Sequence, residues 1–350
     1  MYHVVLCFLT AFLVTFVAIP SIINIAKVKR LMDEPGERRA HKNSIPTLGG
    51  IAIFAGVVFS IIMWTPFEVF GNMQYILCSF IIIFLIGAKD DIIPLTPYKK
   101  MLGQILAAGI LVFLANVKLT SLHGIFGVYQ IPYYLSAIIS MFTLLVIINA
   151  FNLIDGINGL SAGIGTLICI SLGAWFYVTD QIVLCIIAFA LVGSLVAFLK
   201  YNVTPAKIFM GDTGSLLVGL ICGILTIRFI ELHLDIPVLN NKVVAAPALG
   251  VGILFIPLYD TLRVFIVRLL SGRSPFSPDR QHIHHMMLDV GCSHTQATLI
   301  LIFINSLTIF LVVRLQFLGN MKLFILLLIF GISITGLLKW IIRRRQLIAN

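Results

Sequence analysis

Long apolar runs recur along almost the whole chain, broken by short polar segments. A helix needs roughly 17–25 apolar residues to cross about 30 Å of hydrocarbon. Eleven runs meet or approach that length: Tyr2–Ala26, Gly50–Phe70, Tyr75–Ala88, Leu102–Val117, Tyr133–Phe151, Leu160–Val178, Ile182–Leu199, Ser215–Ile230, Val243–Leu270, Thr298–Gln316 and Met321–Ile342. The third and fourth are short, so the pattern predicts an all-α, polytopic membrane bundle of ten to eleven transmembrane helices. Run nine is irregular, because Pro257, Asp260, Arg263 and Arg268 fall in its second half. Charges at mid-bilayer cost about 2.5–3.5 kcal/mol on insertion scales, so these residues predict a break or bend with the charges facing water or one another.

The polar segments alternate in character. No Lys or Arg precedes the first run, whose start holds only His3, whereas Lys27, Lys29 and Arg30 follow it at once, the reverse of a secretory signal, which puts the N-terminus outside. Alternating from there, nineteen of the 24 Lys and Arg residues lie on one side, which the positive-inside rule makes cytoplasmic. Composition agrees: the chain is 60% hydrophobic and 11% charged, with mean hydropathy +1.08, whereas a soluble domain is about a quarter charged. Topology and attraction to anionic headgroups account for the net charge of +10, so no nucleic-acid partner is implied. The six cysteines occur singly without CxxC spacing, which argues against disulfides and thiolate zinc sites. Residues 1–350 contain no linker or repeat and read as one integral-membrane domain.

Ten of the fourteen acids also fall on the cytoplasmic side, and acids do little for topology, so they need another cause. Asp90 and Asp91 end the third run; an ionised pair beside hydrocarbon suggests a cation or a general base, or a solvated helix cap. Asn152, Asp155 and Asn158 recur every three residues, which on a helical backbone would line one edge. Gly211-Asp212-Thr213-Gly214-Ser215 opens the eighth run, where an aspartate could cap the helix or hold magnesium beside a phosphate. Asp260 and Arg263 share a helix face, either as an internal ion pair or as substrate contacts. Arg280, His282, His284 and His285 suit an oxyanion grip better than zinc, since neither HExxH nor further ligands at zinc spacing occur. Lys42, with Arg38, Arg39 and His41, and Lys100, with Lys99, are candidate receptors for a membrane-surface phosphate.

DDIIPLTPYKKMLGQ from Asp90, NAFNLIDGINGL from Asn149, KIFMGDTGSLLVG from Lys207 and SPDRQHIHH ending at His285 occur in this order. Together they resemble the polyprenyl-phosphate N-acetylhexosamine-1-phosphate transferases, from PTLGG at Pro46 through His285. The HIHH run after Pro278-Asp279-Arg280 is more similar to the branch using UDP-N-acetylglucosamine than to the muramoyl-pentapeptide branch, which has an all-histidine run there. The resemblance implies transfer of a sugar 1-phosphate from a UDP-sugar to undecaprenyl phosphate with release of UMP, the first membrane step of a cell-envelope glycan such as lipopolysaccharide or teichoic acid. It implies Mg²⁺, with Mn²⁺ as a substitute, held by Asp212, Asn152 and Asp91. It puts Asp90, Asp91, Asp212, His284 and His285 at the reacting centre. Lys42, Lys100, Asn152, Asp155, Asn158, Asp260, Arg263, Arg280 and His282 are implied substrate contacts. Many members carry Asp where this chain has Asn158, which weakens a metal role there. Expected partners are the two substrates, membrane lipids and, for a self-associating chain, a second copy in a homodimer. Muramoyl-pentapeptide-type activity is the alternative. A secondary transporter is the competing class, but it would put its charged site near the bilayer midplane rather than at helix ends.

Overall fold

The computed structural model describes residues 2–29, 31, 45–235, 243–272 and 281–349. Five sequence candidates, Arg38, Arg39, His41, Lys42 and Arg280, lie outside the described residues. The helices are α1 (Tyr2–Lys29), α2 (Gly49–Trp64), α3 (Met73–Ile92), α4 (Pro97–Phe113), α5 (Tyr133–Ile154), α6 (Leu160–Val178), α7 (Ile182–Asn202), α8 (Gly211–Asp235), α9 (Ala246–Ile253), α10 (Phe255–Leu270), α11 (Ile283–Asp289), α12 (His294–Leu315) and α13 (Asn320–Ala349). Every one of the eleven apolar runs is helical, the ninth as the pair α9 and α10. Among the described residues seven helices are long and apolar enough to cross a membrane, or eight if the bent pair is one span, and α2 is a shorter apolar helix. The protein is therefore a multi-pass helical membrane protein. Between α4 and α5 the chain forms an antiparallel hairpin, β1 (Ser121–Ile125) with β2 (Val128–Gln130), where the sequence pattern showed only a loop.

Without a hydrophobic drive between helices in lipid, packing and interhelical hydrogen bonds hold such a bundle together. The centre is α8, the most buried of the spans, with α2, α3, α5 and α6 packed around it. Its sequence is apolar on all sides apart from its ends, as a helix enclosed by other helices requires.

The ninth run breaks by 82° between α9 and α10. Pro257 has no N–H, and its ring would clash with the carbonyl four residues back, that of Ile253, which disfavours a straight continuous helix at this point. The break frees backbone groups inside the bundle, and one side chain of α12 satisfies two of them. Asn305 accepts from the Ile256 amide at 3.0 Å and donates to the Ile253 carbonyl at 2.9 Å. It is completely buried, as a side chain with no other task would not be.

Candidate active site

The N-terminus of α8 is built from three segments far apart in sequence. Phe209 N donates to Pro46 O at 2.8 Å, Gly49 N to Phe209 O at 3.0 Å and Gly50 N to Met210 O at 2.8 Å, so the PTLGG segment lies along the strand of chain that leads into α8. Gly211 then turns the chain at φ +70°, which a side chain would strain. From α3, Asp91 reaches across this start: its Oδ1 accepts from Asp212 N at 2.7 Å, and its Oδ2 from Thr213 N at 3.0 Å and Thr213 Oγ1 at 2.5 Å. Gly87, one turn earlier on α3, makes that approach possible, since a Cβ there would lie 2.5 Å from the Thr213 Cα. Asp91 thus caps α8 from a neighbouring helix, with both oxygens engaged by free amide donors of the first turn.

With its own amide capped by Asp91, Asp212 turns its side chain to α4 and α5. Lys100, in the first turn of α4, contacts Asp212 Oδ2 directly and stands 3.2 Å from Asp90 Oδ2 and 3.3 Å from Asn152 Oδ1. Asn152 Nδ2 donates to Asp212 Oδ1 at 2.6 Å and to Ser215 Oγ at 3.0 Å. Asp90 Oδ1 accepts from Leu95 N at 2.5 Å, which folds the short α3–α4 loop under the site. Three hard oxygens, from α3, α5 and α8, therefore converge on one cationic point. All of these side chains are partly open to solvent.

Asp155 is the C-cap of α5, next to this point. No described residue hydrogen-bonds its carboxylate. Burial, followed by the Asp212 and Asp91 charges, holds the carboxyl well above the ordinary carboxylate range. Because α5 ends at Ile154, Asn152, Asp155 and Asn158 do not share the helical edge that their spacing predicts. Asn158 instead turns towards Thr204, donating to its Oγ1 at 3.1 Å, while its backbone carbonyl accepts from Thr298 Oγ1 at 2.8 Å. Asn202, which the sequence did not single out, shapes this loop: it accepts from Gly159 N at 2.7 Å and donates to Ile208 O at 2.9 Å.

The histidine segment approaches from the other side. Asp260 on α10 accepts from His282 Nδ1 at 2.8 Å, from Ile283 N at 2.9 Å and from Arg263 Nη2 at 3.0 Å, so it caps α11 and neutralises Arg263 together. Arg263 also donates to the Gln281 carbonyl. His282 and His284 are buried and stacked, with ring centroids 5.6 Å apart, and His285 lies 4.2 Å from His284. His284 packs on Gly156, where a Cβ would meet its Nε2 at 2.2 Å, which brings the segment onto the loop that holds Asp155. Burial, with the neighbouring His285, pushes the His284 imidazole down to about 3, so it is neutral over the physiological range. Its Nδ1 has no hydrogen-bond partner among the described residues.

A profile described as Glycosyl transferase family 4 matches residues 73–230. An undecaprenyl-phosphate alpha-N-acetylglucosaminyl 1-phosphate transferase from Yersinia pestis is 32% identical over 277 residues, 76% of this chain and 72% of the relative. A protein of the same name from Escherichia coli O157:H7 is 31% identical over 281 residues, 78% and 73% of the two chains. A decaprenyl-phosphate N-acetylglucosaminephosphotransferase from Mycobacterium leprae is 31% identical over 319 residues, 84% and 79%.

The chain belongs to the polyprenyl-phosphate N-acetylglucosamine-1-phosphate transferase family. In this transferase the profile match runs from the start of α3 into α8, and so takes in Asp90, Asp91, Lys100, Asn152, Asp155, Asn158 and Asp212. Asp260, Arg263, His282, His284 and His285 follow it in sequence and reach the same end of the transferase through the α9–α10 break.

Proposed function

We propose that the chain transfers N-acetylglucosamine 1-phosphate from UDP-N-acetylglucosamine to undecaprenyl phosphate, giving undecaprenyl-diphospho-N-acetylglucosamine and UMP. One observation carries this reading: Asp90, Asp212, Asn152 and Lys100 converge at a single point, with Asp155 adjoining, at the end of the bundle where the cytoplasmic loops were expected. An oxygen of the lipid phosphate attacks the β-phosphorus of the donor as the bond from that phosphorus to the UMP oxygen breaks. The lipid phosphate has a second pKa of about 6 and is mostly a dianion at neutral pH, so activating it is a small problem beside bringing it against a diphosphate.

Positive charge solves that problem. Lys100 is one source, fixed by two carboxylates and an amide oxygen. Mg²⁺, or Mn²⁺ in its place, is the second in this proposal. The donor chemistry fits a hard cation, since Asp212, Asp90 and Asn152 are oxygen donors gathered around the Lys100 ammonium, and an ion would take a share of the oxygens that Lys100 now holds. Among the described residues no group of three or more His, Cys, Asp and Glu side chains forms a metal cluster. An ion held here would have two carboxylates and an amide from the protein and be completed by substrate phosphates, which is how Mg²⁺ usually binds. Such an ion would neutralise charge building on the departing UMP. Asp91, the third ligand anticipated from sequence, gives its oxygens to α8 and is assigned here to holding Asp212 in place. Engagement of both Asp90 and Asp91 by hydrogen bonds favours direct in-line attack over an aspartyl-phosphate intermediate. His282, His284 and His285, with Arg280 beyond the described residues, are proposed to face the donor diphosphate or sugar.

In the same proposal the protein resides in the cytoplasmic membrane with its N-terminus outside and the site on the cytoplasmic face, and a homodimer is the oligomeric state to test by mass in detergent. The function is tested by offering purified protein and undecaprenyl phosphate a panel of UDP-sugars, reading UMP release and the mass of the lipid product. The expected donor is UDP-N-acetylglucosamine. Preference for UDP-N-acetylmuramoyl-pentapeptide, or absence of any lipid product, would overturn the proposal.

A further inference from the structure

One helical turn beneath the cationic point, α4 and α5 meet through a second polar contact that the chemistry above does not use. Gln104 follows Lys100 by four residues on α4 and is completely buried; Asn149 precedes Asn152 by three on α5. Asn149 Nδ2 donates to Gln104 Oε1 at 2.8 Å, and Gln104 Nε2 donates back to Asn149 Oδ1 at 3.4 Å. Asn149 Nδ2 also donates to Leu145 O at 2.8 Å, which fixes its rotamer. Deeper still, Ser79 of α3 donates to Ala107 O of α4 at 3.1 Å. Polar contacts thus recur along α4, two of them on its seam with α5 and one towards α3, and of these the Lys100–Asn152 contact is the one that touches the site.

We propose that the Gln104–Asn149 amide pair is a positioning device for the transferase reaction, setting the rotation of α4 against α5 so that Lys100 and Asn152 reach Asp212 together. The inference rests on the function proposed above. Apolar contacts between helices are non-directional, whereas a two-way amide pair is satisfied at one mutual rotation and leaves a buried polar group unpaired at others. The lever is long. Lys100 Nζ stands roughly 8 Å from the helix axis, so a rotation of about 15° would move it by about 2 Å. A misplacement of about 1 Å at a reacting centre can cost about 10²-fold in rate.

The test uses amide variants on both sides of the seam, so that polarity is kept while the fit changes. Gln104→Asn, Asn149→Gln and the double variant carrying both are purified as full chains. For each, kcat, KM for both substrates and the thermal midpoint in detergent are measured, with activity normalised to monodisperse protein. Gln104→Asn shortens the pair and Asn149→Gln crowds it, and each single change is expected to lower kcat about tenfold or more with KM for both substrates within about twofold. The double variant restores total reach and is expected to recover most of the lost kcat. Single variants with unchanged kcat, a double variant as slow as the worse single one, or losses that vanish on normalisation to folded protein would overturn the inference. A wild-type protein that makes no lipid product would instead overturn the proposed function, so the two failures are distinguishable.

Discussion

Two helices in this protein begin under a carboxylate supplied by a different helix, and the pair are built for different ends. At α8, Asp91 from α3 takes the first-turn amides and the Thr213 hydroxyl, and makes no ion pair with a described residue. At α11, Asp260 from α10 takes the Ile283 amide but also holds Arg263 and His282. The first cap releases Asp212, which would otherwise serve its own helix, to face Lys100 and Asn152. The second spends its carboxylate on internal neutralisation and leaves the His282 and His284 imidazoles packed and buried. A similar device therefore frees an acid at one helix and immobilises a basic cluster at the other. In a chain with only fourteen acids, function follows from which groups each carboxylate is left to face.

That contrast can be broken experimentally. Asp212→Asn should lower turnover by about 10³-fold or more, because it removes the charge on which Lys100 and the proposed metal converge, while the melting midpoint stays close to wild type. Near-normal turnover would remove Asp212 from the centre. Asp260→Asn should act on both stability and rate, because it leaves the partly buried Arg263 without its counter-charge. Breaking such a pair costs about 3–5 kcal/mol, so a clearly lowered thermal midpoint with a raised donor KM is expected, and wild-type behaviour in both would contradict the cap assignment. Asp91→Asn should be felt first as stability, at about 1–3 kcal/mol, because one oxygen of the cap becomes a donor facing amides that also donate. A midpoint unmoved by this change would mean that Asp91 does not hold α8.

A further expected effect concerns pH. The His284 value of about 3 lies below the ordinary 6.5, so the unfolded chain takes up a proton in this window that the folded chain refuses. The contribution of this group is complete above about pH 6.5 and declines as pH falls towards 3, by at most about 1.4 kcal/mol per unit. Comparing the acid limb of the thermal midpoint in wild type and His284→Gln isolates it. The variant should lose part of the slope, and identical limbs would show that His284 is not held neutral by the fold.

Much of the architecture was legible because bilayer thickness imposes helix length on apolar sequence. The bend at Pro257 was legible for the same kind of local reason, a missing donor and a ring clash. What stayed hidden depends on partners remote in sequence. Asp91 and Asp260 look like site residues by their motifs, and only the approach of α3 to α8 and of α10 to α11 shows both capping a second helix. Asn158 seemed to extend the Asn152–Asp155 edge because periodicity assumes a helix that in fact ends at Ile154. Asn305, Asn202 and Gln104 are single amides in or at the end of apolar runs. The available signal was their cost: a buried amide in a membrane helix needs a partner, and sequence does not say where it is. The hairpin at β1 and β2 escaped because its strands are only five and three residues long.

The central claim, that the clustered carboxylates and Lys100 serve transfer of a phospho-sugar rather than of a sugar alone, is tested most directly by the fate of one phosphorus. Purified protein is given undecaprenyl phosphate and UDP-N-acetylglucosamine labelled with ³²P at the β-phosphate. The account predicts that the label enters the lipid fraction with unlabelled UMP as co-product, and that Asp212→Asn abolishes this. Label released as UDP would contradict it.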